Sequence, residues 1–211
     1  ELQASEFADV KILAAWVHGP GVLHTKEPVE ALEDIVGMEV RGPTRVITDL
    51  LGELGATPVG MPLPGIPEAL SKGVINGTVV PWEITPAIKL GELVSNHTEF
   101  SGERALYTAT FILAMNWDSY DALPDDLRTL LDAMSGKDLS KRVAQVMVDG
   151  DEVGRSIYAE NNIIRLPEEE VSGWMAASQP VYARWIERAG EKGFDGQAAI
   201  EQAEELMDRN Q

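Results

Sequence analysis

The sequence predicts an α/β protein whose last third is mainly helical. Two observations lead to this fold class. From Val10 to about Leu93, apolar runs of strand length alternate with segments whose apolar residues recur at helical spacing. After Pro124 the helical spacing dominates. Because alternating strands and helices are typical of a doubly wound α/β layer, we expect one such layer followed by long helices.

The first predicted strand is Val10–Val17, a continuous apolar run suited to a strand that is buried on both faces. Gly and Pro break this run, so residues 18–25 are predicted to form a loop at the carboxyl end of the strand. In open α/β sheets, ligands bind at that edge. A short helix at residues 28–35, with Glu27 and Glu30 near its positive end, is expected to follow.

Three further strand–helix pairs complete the predicted layer. Apolar residues at helical spacing indicate a helix at 44–54, where Gly55 is a suitable C-cap, and Gly73 stops a shorter helix at 66–72. Pro81 opens the last helix of the layer, which runs toward Leu93. The strands between these helices are predicted at 38–41, 57–61 and 74–80.

The second half has a different pattern. Residues 105–115 are a long β-prone run, and turn residues follow it. From Pro124 the chain is predicted to be helical, with a short edge strand at 163–166 and acidic residues opening a helix after Pro167. A terminal helix is expected at 198–207, and residues 1–8 resemble the tail of a helix.

Composition excludes several classes of function. The 211 residues carry a net charge of −18, which argues against binding to nucleic acid or to an anionic membrane surface. The chain contains no Cys, so a disulfide framework, a thiol nucleophile and a thiolate metal site are all excluded. No apolar run approaches the ~20 residues that a membrane span requires, and no signal peptide is present.

One arginine stands where a small anion is expected to bind. Arg41 ends a short predicted strand within Gly37–Gly42, and Pro43 and the start of a helix follow it. The planar guanidinium can donate two parallel hydrogen bonds to a carboxylate. The sequence therefore predicts that Arg41 clamps a carboxylate.

Several ordered blocks resemble a known family. Residues 28–41 resemble the "kPi…peDlkGlkiR" signature of the DctP-type solute-binding subunit of tripartite ATP-independent periplasmic (TRAP) transporters. Residues 54–62 resemble its "lGa.pvpmp" block, residues 68–77 its "eal..GvvDG" block and residues 120–127 its "y.aLPedl" block. The blocks occur in the family's order and extend over most of the chain.

This resemblance implies a periplasmic-binding-protein-like (type II-like) α/β lobe with a parallel or mixed sheet and long C-terminal helices. Family members have two lobes, so we expect an N-terminally truncated two-lobed protein whose exposed hinge strands allow a dimer or a strand swap. The expected regions are the end of the first lobe with the hinge strand (1–22), the second lobe (23–103), the return strand and hinge (104–123) and a helical region packed across both lobes (124–211).

The resemblance assigns the family's ligand arginine to Arg41. The loop that carries His18 and His24 would lie at the edge of the cleft, where either imidazole could donate to a ligand. A second arginine found in this region of many relatives is absent between Val10 and Val40.

Val80 occupies the position of an asparagine that often binds ligand in the family. Near it, Trp82 would offer an apolar wall with one N–H donor and Glu83 a carboxylate for a ligand hydroxyl or a cation. Leu63 is expected to shape the pocket. For Trp82 the alternative is core packing, and for Glu83 it is a helix N-terminal acid.

The resemblance implies an extracytoplasmic, periplasmic solute receptor. It would bind a small organic acid between two lobes, deliver it to the membrane permease of a TRAP transporter and perform no catalysis. No cofactor or metal is expected. Because the family's second arginine and its ligand-binding asparagine are both absent, the resemblance favours a monocarboxylate or a hydroxy or keto acid as the ligand. The alternatives are an acidic interaction module and a metal-assisted hydrolase that uses Glu83 with the histidines.

Overall fold

The computed structural model describes residues 7–102 and 105–209. Its strands are β1 (Val10–Val17), β2 (Val22–Thr25), β3 (Glu39–Gly42), β4 (Thr57–Gly60), β5 (Gly77–Val80), β6 (Asn96–Phe100), β7 (Thr110–Asn116) and β8 (Asn162–Leu166). Its α-helices are α1 (Arg45–Glu53), α2 (Ile66–Ser71), α3 (Trp117–Asp121), α4 (Asp125–Met134), α5 (Lys137–Ile157), α6 (Glu168–Glu191) and α7 (Gly196–Asp208). The expected N-terminal helix tail falls mostly on residues 1–6, outside the described residues.

The central sheet has six strands in the order β4-β3-β5-β2-β6-β8. Strand β3 runs parallel to β4 and β5, β6 runs parallel to β8, and β2 is antiparallel to both of its neighbours. The sheet is therefore mixed, and it is not the uniformly parallel layer of a doubly wound fold. The predicted edge strand at 163–166 is present as β8.

Both faces of the sheet are covered, by two hydrophobic clusters. One contains residues of α1, the sheet and α6, including Leu51, Val40 and Trp174. The other lies around α2 and the turns near Leu90, and it includes Ile66 and Leu70. Burial of apolar surface on both faces supplies the main driving force for this layer.

Strands β1 and β7 form a separate antiparallel ribbon. Helix α5 packs along this ribbon, where the indole N–H of Trp16 contacts the sulfur of Met147 at 3.2 Å. The prediction that β1 is buried on both faces was wrong for the described residues, because Ala15 and Val17 are exposed. Strand β1 is covered along one edge by β7, with which it pairs, and Phe111 and Leu113 of β7 are also exposed.

Two other predictions needed correction. The helix expected at 28–35 is one 3-10 turn at Leu32–Ile35, and the helix expected at 81–93 is two such turns, Trp82–Ile84 and Leu90–Glu92. Between these two turns Lys89 has a left-handed backbone (φ 51°), which interrupts a right-handed helix. No helix in the described residues is long and apolar enough to cross a membrane.

Candidate functional site

The carboxyl ends of β3 and β4 and the start of α1 border an open cleft of about 680 Å³. Gly42 allows this arrangement, because a Cβ atom there would lie 2.8 Å from Oγ1 of Thr48 in the first turns of α1. The side chain of Thr44 caps α1 by accepting a hydrogen bond from the Ile47 amide at 3.3 Å. The helix N-terminus is thereby held directly beside the strand end.

Arg41 reaches this cleft from the end of β3 and is only 5% exposed. Its Nε atom donates to the carbonyl oxygen of Met61 at 3.0 Å. Within residues 7–102 and 105–209, its two terminal nitrogens have no hydrogen-bond partner and no carboxylate lies within ion-pair distance. Burial lowers the pKa of the guanidinium, and the effect of Tyr107 opposes this. The cleft thus contains a desolvated cation with unused donors.

Tyr107 lies close to Arg41 and was missed by the sequence reasoning. Its hydroxyl donates to the carbonyl oxygen of Val79 at 3.1 Å, and its ring would clash with any Cβ atom at Gly21. Burial raises the pKa of this phenol, which therefore stays neutral, and the charge of Arg41 partly offsets that effect. No local motif distinguishes Tyr107 from the other residues of the β-prone run in which it was placed.

His18 joins the two segments that connect the ribbon to the sheet. The Ala109 amide donates to its Nε2 at 3.1 Å, so Nδ1 carries the proton and donates to the Gly19 carbonyl oxygen at 2.5 Å. The hydroxyl of Thr108 also donates to the His18 carbonyl oxygen at 2.8 Å. Both ring nitrogens are thereby satisfied by backbone, and burial lowers the pKa of the ring. His18 therefore links the segment after β1 to the segment before β7, and neither of its ring nitrogens is left free for a ligand.

His24 does not lie in a loop, as was expected, but in strand β2, where it is fully buried. Its Nε2 donates to the Val80 carbonyl oxygen at 3.2 Å, so its Nδ1 accepts from Nδ1 of His97 at 2.7 Å. The Nε2 of His97 in turn accepts from Nδ2 of Asn161 at 3.0 Å. Both rings are therefore neutral, and neither has a free nitrogen for a ligand.

Trp82 is 4% exposed and packs edge-on against His24 and beside His97. Its indole N–H donates to Glu99 at 2.9 Å, and Glu99 also forms an ion pair with Arg155 at 2.7 Å. Core packing, the alternative interpretation, thus describes Trp82 better than a cleft wall does. Of the predicted apolar residues, Leu63 does line the cleft beside Arg41.

Glu83 lies at the start of a 3-10 turn, and its amide donates to Oδ1 of Asp151 at 2.8 Å. Burial and the nearby Asp151 raise the pKa of the Glu83 carboxyl. Among the described residues, no three His, Cys, Asp or Glu side chains are grouped so that they could hold a metal ion. Glu83 and the histidines therefore do not assemble the site that a metal-assisted hydrolase requires.

The family model for bacterial extracellular solute-binding proteins, family 7 (DctP), matches residues 2–188. A solute-binding protein of a TRAP transporter from Rhodoferax ferrireducens T118, crystallised with copurified benzoate, is 45% identical with a TM-score of 0.94. The match covers 98% of this chain and 65% of that one. A marine metagenome TRAP protein specific for aromatic acid ligands, in complex with 3-hydroxybenzoate, is 41% identical, also with a TM-score of 0.94 and coverages of 98% and 65%.

Among curated relatives, the C4-dicarboxylate-binding periplasmic protein DctP of Rhodobacter capsulatus is 28% identical over 189 residues. That match covers 84% of this chain and 53% of the relative, so the chain spans about half of that protein's length. The family match favours a solute-binding protein over an acidic interaction module or a hydrolase. On the family match and the shared fold, this chain belongs to the bacterial extracellular solute-binding proteins of family 7, the DctP family of TRAP transporters.

Proposed function

We propose that this protein is an extracytoplasmic solute receptor, located in the periplasm, that binds a small organic acid through its carboxylate. The observation that carries the proposal is Arg41, a buried cation without a carboxylate partner among the described residues. An anionic ligand would supply that partner, and the two free terminal nitrogens match the two oxygens of a carboxylate. Leu63 and Tyr107 border the same arginine and would shape the pocket around the acid.

The proposed ligand carries an aromatic ring. Support comes from the two similar structures, at 45% and 41% identity, which hold benzoate and 3-hydroxybenzoate. Leu63 offers apolar surface beside Arg41 that suits a ring. Ligand binding would close the cleft by bending at the segments that His18 joins, and the closed receptor would deliver its ligand to the membrane permease.

The ribbon offers a surface for a further partner. Val17, Phe111 and Leu113 are each at least 40% exposed on β1 and β7, and an apolar surface of this kind can pack against another chain. We include association or strand exchange through this ribbon in the proposal. Size-exclusion chromatography with light scattering tests it, and a strictly monomeric protein at high concentration would contradict it.

Calorimetric titration of the complete natural polypeptide with benzoate tests the proposed receptor function. Arg41→Gln should weaken binding at least about 100-fold, because charge-assisted hydrogen bonds contribute roughly 1.5–3 kcal/mol each. The same variant should unfold at an equal or higher temperature without ligand, because it removes a desolvated charge. Arg142→Gln, at an exposed position of α5, is the matched control and should leave affinity unchanged. Benzoate binding that survives Arg41→Gln would refute the proposed clamp.

A further inference from the structure

A groove of about 910 Å³ lies between helices α1, α6 and α7 and the chain that leads into β7. Among the described residues, none lines both this groove and the cleft at Arg41. Helix α1 separates the two, because its Thr48 and Asp49 line the cleft whereas its Ile47 and Leu50 line the groove. The groove is therefore a distinct concave site that the proposed receptor function does not use.

The groove runs from the surface into the interior. Tyr107, Val171 and Trp174 line it and are each at most 8% exposed. Met175 and Tyr182 also line it, and they are 41% and 44% exposed. Small-molecule sites are concave and typically enclose roughly 300–1,000 Å³. The depth and the volume of this groove therefore suit a small molecule better than the surface of a partner protein.

The lining is rich in aromatic rings and poor in charge. Its described residues include five aromatic side chains, those of Phe100, Tyr107, Trp174, Tyr182 and Trp185. Glu204 is the one charged residue among them, and none is Lys, Arg or His. An anion in the groove would thus lack a cationic partner and would be desolvated near a carboxylate. The lining favours a neutral molecule that carries a ring.

Trp174 independently indicates a hydrogen-bond acceptor on that molecule. Its side chain is 3% exposed, and its ring packs edge-on against Phe100 with the ring centroids 5.1 Å apart. The indole N–H has no hydrogen-bond partner among the described residues. Because a buried donor without an acceptor is unfavourable and rare in native proteins, an acceptor carried into the groove would be stabilised by this N–H.

We propose that the groove is a second binding site, for a small neutral aromatic molecule with one hydrogen-bond acceptor attached to its ring. The ring would pack among the aromatic side chains of the lining, and the acceptor would receive the indole N–H of Trp174. This site is independent of the carboxylate clamp at Arg41 and goes beyond the proposed receptor function.

Acetophenone and α-methylstyrene test this inference, because they share one shape and differ in a carbonyl oxygen that accepts a hydrogen bond. In NMR titrations of the complete natural polypeptide, acetophenone should bind saturably and about three- to tenfold more tightly than α-methylstyrene. Trp174→Phe keeps a ring but removes the N–H, so it should abolish this difference. Trp117→Phe is the matched control and should retain it, because the Trp117 indole bonds to the Ala8 carbonyl outside the groove.

A variant that fills the groove locates the binding. Ala203 lines the groove from an exposed position of α7, so Ala203→Trp should weaken the binding of both compounds at least about tenfold while the protein stays folded. Gln202→Trp, at an adjacent exposed position that does not line the groove, should leave both affinities unchanged. Arg41→Gln should not change acetophenone binding, and Ala203→Trp should not change benzoate binding.

Several outcomes would overturn the inference. The first is a wild-type protein that binds neither compound saturably or binds both equally well. Acetophenone binding that survives Ala203→Trp, or that is lost in Arg41→Gln, would place the compound in the cleft. A dimer that Ala203→Trp dissociates, with no binding of either compound, would assign the groove to a second copy of this chain. Benzoate binding is measured separately, so the receptor function can stand when this inference fails.

Discussion

Lowering the pH from 7 to 5 should destabilise this fold through the buried pair His24–His97. Burial lowers the pKa of His24 from 6.5 to about 3, with the neighbouring His97 adding to the effect and the Val80 carbonyl opposing it. Burial lowers the pKa of His97 from 6.5 to about 4, and Glu99 partly opposes this. The hydrogen bonds give the same direction. Protonation of His24 would place two N–H groups against each other at the Nδ1–Nδ1 contact, and protonation of His97 would place an N–H at Nε2 against the donating amide of Asn161.

The direction in which stability changes with pH follows from proton uptake by the two histidines. Below pH 6.5 the unfolded chain binds protons at both histidines, whereas the folded protein does not until the pH approaches the lowered pKa values. Stability therefore falls as the pH falls through 6.5. At 1.36 kcal/mol per pH unit and proton, the loss at pH 5 is about 2 kcal/mol for each histidine and about 4 kcal/mol for the pair.

Urea denaturation at pH 7, 6 and 5 and constant ionic strength measures this loss. The chain has only three histidines, so His97→Gln leaves two and should reduce the histidine part of the pH dependence by about 2 kcal/mol. Carboxylates and overall charge also change with pH. They are common to both proteins and cancel in the comparison.

Two results would refute this account. One is a wild-type and a His97→Gln protein whose free energies of unfolding change equally between pH 7 and 5. The other is an NMR titration in which either buried ring of the folded wild type gains its proton above pH 5. The second measurement does not depend on the stability of any variant.

Two substitutions test other parts of the structure. Gly21→Ala should lower the free energy of unfolding by about 1–3 kcal/mol, because the new Cβ would lie 2.2 Å from the ring of Tyr107. The control is Gly173→Ala, whose new Cβ would have no atom within 4 Å. Equal effects of the two substitutions in thermal unfolding would contradict the packing argument. Trp82→Phe should cost about 1–2 kcal/mol, because the hydrogen bond to Glu99 is lost; an unchanged urea midpoint would show that this bond adds nothing.

Local patterns predicted the elements around Arg41 well. Helix α1 begins after Thr44 and ends before Gly55, as helical spacing and a C-cap glycine indicated. Strand β6 was missed because residues 96–98 are Asn, His and Thr, which show no apolar pattern. They are nonetheless buried, since hydrogen bonds such as that from Thr98 to the Val29 carbonyl satisfy them.

Adjacent residues in the sequence indicate that Arg41 lies at the end of a strand and before a helix. The family resemblance also rests on short blocks of adjacent residues. Neighbours in the chain set periodicity, caps and turns, so these features can be recognised without a fold. Whether a charge or a ring has a partner depends on segments far apart in sequence. The sheet register places His24 against His97, 73 positions away, and thereby buries a residue that resembled a loop histidine. Packing likewise leaves Arg41 without a carboxylate in the described residues and brings Arg45 to the same cleft, and only the tertiary structure decides this.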